Sequence, residues 1–148
     1  MKALVQRVLA GSVIIDEAVV GRIGLGLVIL LGVGREDSEE DADYLAQKVA
    51  NLRIFPNEGA EFDRSVLDSG GGVLVVSQFT LMADTKKGRR PSFTSAAPPE
   101  SARSLYERFV HSLIEQGLTV ATGIFQEHMH VEIHNDGPVT LLVDSNRS

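Results

Sequence analysis

The run Val73-Leu74-Val75-Val76-Ser77-Gln78-Phe79-Thr80 decides how this chain is read. Four consecutive apolar residues, most of them β-branched, are too few for a helix. They predict a short strand buried on both faces. That strand runs directly into serine, glutamine and threonine. A buried strand that ends in polar residues presents hydroxyl and amide groups at the rim of a sheet, where clefts form.

Moving toward the N-terminus, residues 56–72 are polar and glycine-rich and read as a loop with at most one short turn. Before them, Ala42, Leu45, Ala46, Val49 and Leu52 recur at helical spacing and make one apolar face. Asp37 is placed to cap that helix, with Glu40 three residues on to complete a capping box. Further back the pattern is β. Leu25 to Val33 is apolar and punctuated by Gly24, Gly26, Gly32 and Gly34, while Ala3 to Leu9 and Ser12 to Val20 read as two strands parted by Gly11.

Moving toward the C-terminus, residues 84–98 are irregular and basic and lead into Pro98-Pro99. Ala102, Leu105, Tyr106, Phe109, Val110, Leu113 and Ile114 then predict a second helix, stopped by Gly117. Thr119 to Thr122, Met129 to His134 and Val139 to Val143 read as strands. About seven strands and two helices that do not alternate argue against a doubly wound parallel sheet. The expected fold class is α+β: a single domain over residues 1–148, with two helices on one face of a mostly antiparallel, curved, barrel-like sheet.

The chain has no cysteine, which excludes a disulfide framework, a thiolate metal site and a cysteine nucleophile. Its longest apolar stretch, Leu25 to Val33, is far short of the roughly 20 residues a membrane helix needs. The N-terminus is polar by Gln6-Arg7 and lacks the apolar core of a signal peptide. These features predict a soluble, cytoplasmic protein with no membrane partner. A net charge of −6 argues against broad nucleic-acid binding, so any RNA contact must be local. Lys86, Lys87, Arg89 and Arg90 form the one dense basic patch, readable either as a solvated loop or as an RNA contact.

Three further segments can carry chemistry. Ser77 sits where a nucleophile can sit, but no glycine-flanked elbow surrounds it and no histidine is near it in sequence. From the residues alone, an ordinary capped strand end is the preferred reading. Asn135-Asp136-Gly137-Pro138 has the composition of a turn between strands. His128, His130, Glu132 and His134 alternate with apolar residues and share one strand face. Zinc can bind such a face, but a polar side of a half-buried strand accounts for it, and no other ligand cluster supports a site.

Read together, these segments resemble the D-aminoacyl-tRNA deacylase family nearly end to end. Ser77-Gln78-Phe79-Thr80 and Asn135-Asp136-Gly137-Pro138-Val139-Thr140 carry the resemblance, in the family's order and separation. Gln6-Arg7-Val8, Gly88, Arg90-Pro91-Ser92-Phe93, and Phe125 with Met129 support it. The resemblance implies hydrolysis of the ester between a D-amino acid and tRNA, with glycyl-tRNA also accepted and the L-form rejected. It implies a homodimer with both active sites at the interface. Apart from the resemblance, the lack of any ligand cluster beyond one strand face predicts an activity that needs no metal or cofactor. Gly137 and Pro138, joined by a cis bond and braced by Arg7, would form a wall against the amino acid's α-carbon inside the other subunit's pocket. Ser77, Gln78, Phe79 and Thr80 would line the catalytic pocket, with the Phe79 amide as a donor. Phe125, Met129 and Asn135 would contact substrate, and the tRNA contact, expected from charge density alone, would fall on Lys86, Lys87, Arg89 and Arg90. The terminal adenosine's 2′-hydroxyl would help activate water, so no side chain acts as a covalent nucleophile.

One departure stands out. Where the family has Phe-Gly-Ala, this chain has Phe125-Gln126-Glu127. That change bears on pocket size, amino-acid range or the local loop path. Two other function classes remain distinguishable: a metal-assisted hydrolase, marked by chelator-sensitive activity, and a non-catalytic binding module, marked by tRNA binding without cleavage.

Overall fold

The computed structural model describes residues 1–147. Its elements are β1 (Lys2–Ile15), β2 (Ala18–Ile23), β3 (Gly26–Gly32), α1 (Glu39–Asn51), β4 (Phe55–Asn57), β5 (Ala60–Arg64), α2 (Val66–Ser69), β6 (Gly72–Ser77), α3 (Pro99–Glu115), β7 (Thr119–Thr122) and β8 (His130–Asp144). The main sheet runs β2-β1-β3-β6-β7, and β8 lies antiparallel along β1 on its other side. Antiparallel pairs join β1 to β2, β3 and β8, as the α+β reading expects. The β3–β6 and β6–β7 pairs are parallel, because segments holding α1 and α3 carry the chain back before it re-enters the sheet.

The apolar run of β6 is explained by burial on both sides. Val73 and Val75 face the helices together with Leu27 and Ile29 of β3, and Phe109 and Leu113 of α3 pack onto them. Leu74 and Val76 face the other way, against Val8, Val13 and Val28 inside the curve of the sheet. Closure toward a barrel is tight: a Cβ added at Gly21 of β2 would lie 2.5 Å from the Thr122 carbonyl oxygen of β7.

Several expectations change. Gly11 does not separate two strands. It lies inside β1, where a Cβ would come 2.7 Å from Val28 Cγ2, so glycine is needed for packing. The break falls instead at Asp16 and Glu17, both at positive φ. Ser38, not Asp37, caps α1, and its backbone amide donates to Asp41 rather than Glu40, at 2.9 Å. Asp37 is occupied elsewhere, accepting from the Gly34 amide and from the N-terminal ammonium at 2.7 Å. Residues 56–72 hold most of the β4–β5 hairpin and all of α2. Ile114 is half exposed instead of joining the buried face of α3. The two predicted strands near the C-terminus are one, β8, with a bulge in place of the expected turn. Among the described residues no helix is long and apolar enough to cross a membrane.

Candidate active site

β6 ends at Ser77 and the chain turns at once into a 3₁₀ turn, Phe79–Met82. The Gln78 amide donates to the Leu31 carbonyl at 2.8 Å, which ties this exit to β3. The Gln78 side-chain amide donates to the Thr80 hydroxyl. Phe79 is 57% exposed, an unusual position for a large ring, and meets Phe93 edge-on at 5.0 Å between centroids. Ser77, Gln78, Phe79 and Phe93 bound one part of a cleft of about 650 Å³, and Phe125 and Met129 bound another. That volume suits a small ligand or the end of a larger one.

The Phe125 side is held rigidly. Its ring packs on Tyr106 at 5.9 Å, and the Arg103 guanidinium lies 4.9 Å from its centroid. Tyr106 in turn donates to the Val75 carbonyl at 3.0 Å. Burial pushes its phenol up to about 12, so it remains a donor across the neutral range. Met129 has room because residue 123 is glycine: a Cβ there would sit 2.5 Å from Met129 Sδ. The chain crosses the cleft wall in a turn closed by the Glu127 amide donating to the Ile124 carbonyl at 3.2 Å, with Gln126 at φ +69°.

The second motif lies elsewhere. On β8, Thr140 pairs with Gln6 and Asn135 with Val8, so residues 136–139 bulge out opposite Arg7 alone. The Gly137–Pro138 bond is cis and Gly137 has φ +112°. Arg7 is 4% exposed beneath this bulge. Its Nη1 donates to the Ile54 carbonyl at 2.9 Å and its Nη2 to Glu61 at 3.0 Å. Its Nε lies 3.1 Å from Asp136 Oδ2, an ionic contact without the alignment of a hydrogen bond. Asn135 closes the base of the bulge, donating to the Arg7 carbonyl at 2.9 Å and to the Val139 carbonyl at 3.1 Å. Its amide is thus engaged by backbone. Asp136 and Glu61, the partners that hold Arg7, were not legible as such, because lone surface acids carry no sequence signal.

The chain therefore divides its site residues into two groups. Ser77, Gln78, Phe79, Phe125 and Met129 share the cleft, and Thr80 supports Gln78 just outside it. Arg7, Asn135, Gly137 and Pro138 share the bulge and are absent from the cleft walls. A second hollow of about 720 Å³ adjoins Arg7 and Asp136, but glycine and apolar groups make up most of its lining; of its three charged residues Arg7 and Asp136 are paired with each other, and Arg22 is exposed. Lys86, Lys87, Arg89 and Arg90 lie exposed on a loop pinched at its base by Asp84 and Ser92, whose backbones exchange two 2.8 Å hydrogen bonds. Phe93 follows directly, so the basic loop stands beside the cleft. His130, Glu132 and His134 project from β8, while His128 lies on the cleft wall. Among the described residues no group of three or more histidines and acids is gathered closely enough to hold a metal.

The chain is a small α+β protein with a strand-end cleft and a separately presented bulge, and comparisons with known proteins give its family. The D-Tyr-tRNA(Tyr) deacylase family matches residues 4–144. A D-aminoacyl-tRNA deacylase of Desulforudis audaxviator is 59% identical over 147 residues, covering 99% of both chains. One from Heliobacterium modesticaldum is 61% identical over 144 residues, covering 97% of this chain and 96% of its own. A solved structure of a c-Myc DNA unwinding element binding protein is 38% identical, with a TM-score of 0.94 over 99% of both chains. Another, described as a probable eukaryotic D-amino acid tRNA deacylase, shares the fold at a TM-score of 0.81 and 18% identity, over 97% of this chain and 98% of its own. The chain belongs to the D-Tyr-tRNA(Tyr) deacylase family.

Proposed function

We propose that this chain hydrolyses the ester of D-aminoacyl-tRNA and of glycyl-tRNA, and spares L-aminoacyl-tRNA. It acts as a homodimer in which each site joins the cleft of one subunit to the Gly137–Pro138 bulge of the other. The observation that carries this reading is the division of the two motifs within one chain: a cleft lined by Ser77, Gln78, Phe79, Phe125 and Met129, and a separate braced bulge whose Gly137 and Pro138 are exposed. The outer edge of β8 offers a surface for such pairing. Among the described residues β8 pairs only with β1, and Leu141 and Leu142 are exposed beside the bulge.

In this reading the ester carbonyl sits at the end of β6. The first amides of the Phe79–Met82 turn have no acceptor within the turn, which makes the Phe79 N–H available to a developing oxyanion. Water adds to the carbonyl carbon, the carbon–ribose oxygen bond breaks, and the water's proton passes to the departing ribose oxygen. The neighbouring hydroxyl of the terminal ribose orients the water, so the protein supplies position rather than a nucleophile. Chiral selection is steric. An L-side chain meets the backbone of residues 137–138, whereas a D-side chain points away and glycine has none.

Comparing cleavage of D-tyrosyl-, L-tyrosyl- and glycyl-tRNA by the purified protein tests this. Release from the D- and glycyl forms is expected, with the L-form stable. Equal rates on both enantiomers would end the chiral reading, and tRNA binding without cleavage would mark a binding module. A substrate ending in 2′-deoxyadenosine should be cleaved poorly.

A further inference from the structure

Gln126 occupies a backbone conformation that suits glycine. It is the third residue of the turn closed by Glu127 and Ile124, at φ +69°, where side chains other than those of glycine and asparagine are disfavoured. An uncommon conformation kept by a long polar residue in a cleft wall points to use of that side chain. Its carboxamide is exposed and makes no hydrogen bond among the described residues, yet Gln126 lines the cleft between Phe125 and Met129.

We propose that Gln126 is a specificity-determining residue that reads the base edge of the substrate's terminal adenosine. The inference rests on the deacylase reading above. With the ester at Ser77–Phe79 and the amino acid against the partner's bulge, the nucleoside is left to the Phe125 side. There a flat slot is walled by a ring fixed between Tyr106 and Arg103, by Met129, and by the small side chains of Ala96 and Ala97. An aromatic platform beside a free carboxamide suits an unpaired base. The Gln126 carbonyl accepts from the adenine N6 amino group while its NH₂ donates to a ring nitrogen, the donor–acceptor pair by which glutamine distinguishes adenine. Glu127 beside it only accepts and lacks that pairing.

The test uses D-tyrosyl-RNA ending in adenosine, in purine riboside, which lacks the amino group, or in inosine, which replaces it with an oxygen. The intact protein should favour adenosine roughly tenfold in kcat/KM, mostly through KM. Gln126→Gly and Gln126→Ala should bring that preference to within about twofold while kcat on the adenosine end is largely kept. Gln126→Gly should also raise Tm by roughly 2–4 °C by relieving the turn, which shows that lost preference is not lost folding. A preference near one in the intact protein, a preference that survives Gln126→Gly, or its loss in Glu127→Gln alone would overturn the assignment. No cleavage of any D-tyrosyl-RNA would instead overturn the deacylase reading on which it stands.

Discussion

A β-carbon at residue 137 has no room. It would lie 2.9 Å from Val139 Cγ2 and 3.1 Å from Arg7 Nη2, and the backbone there has φ +112°. Gly137→Ala should therefore displace the bulge or Arg7, at a cost of about 1–3 kcal/mol. Cleavage of D-tyrosyl-tRNA is expected to fall at least tenfold, while the circular dichroism spectrum stays native. Full activity would show that the bulge does not shape the site. Ser77 and Thr80 make the opposite case. Among the described residues neither is hydrogen-bonded to a histidine, although His128 lines the same cleft as Ser77, and Thr80 accepts from Gln78. A positioning hydroxyl is worth about 0.5–1.5 kcal/mol, so Ser77→Ala and Thr80→Ala should each lower kcat/KM by about two- to tenfold. A true nucleophile would cost on the order of 10⁶-fold. A folded, tRNA-binding but inactive Ser77→Ala protein, or an acyl group trapped on either residue, would show that covalent catalysis operates.

Among elements, the loop from Asp84 to Ser92 carries the proposed tRNA contact. Lys86, Lys87, Arg89 and Arg90 crowd its exposed tip in a chain of net charge −6, and its base is pinned by backbone hydrogen bonds. Each phosphate contact releases counterions, so replacing Lys86 and Lys87 by alanine should weaken tRNA binding and reduce the slope of log K against log salt by about 1–2. An unchanged slope would assign the RNA contact to another surface. Elements also show what pattern alone can and cannot say. The helical face from Ala42 to Val49 was legible because its spacing is local. The cap was misplaced by one residue because Asp37 is claimed by the N-terminal ammonium, a partner 36 positions away. β8 read as two strands around a turn because Asn, Asp, Gly and Pro favour turns. Pairing with β1 on both sides of residues 136–139 converts that turn into a bulge.

For the whole molecule, the proposed sharing of each site between two subunits predicts complementation. Gly137→Ala removes the bulge's function, and Ala97→Phe fills the cleft. Mixed as unfolded subunits in equal amounts and refolded together, the two variants should form heterodimers in which one of the two sites is intact. Random pairing then restores about a quarter of the activity of the unaltered protein. No recovery, despite heterodimers seen by mass spectrometry, would place both motifs in one subunit's site.

Much of this protein was determined by sequence alone. Buried strands show as apolar runs, the two main helices as periodic faces, and Ser77–Thr80 and Gly137–Thr140 as motifs, because each is written in neighbouring residues. Tertiary structure alone decided the parallel pairing of β6, the occupation of Arg7 by Ile54, Glu61 and Asp136, and the unusual backbone of Gln126. It also decided that the two motifs stand apart on one chain. These features depend on groups brought together across tens of residues. Such contacts are set by the balance of packing and hydrogen bonding over the whole fold, and no local pattern carries them.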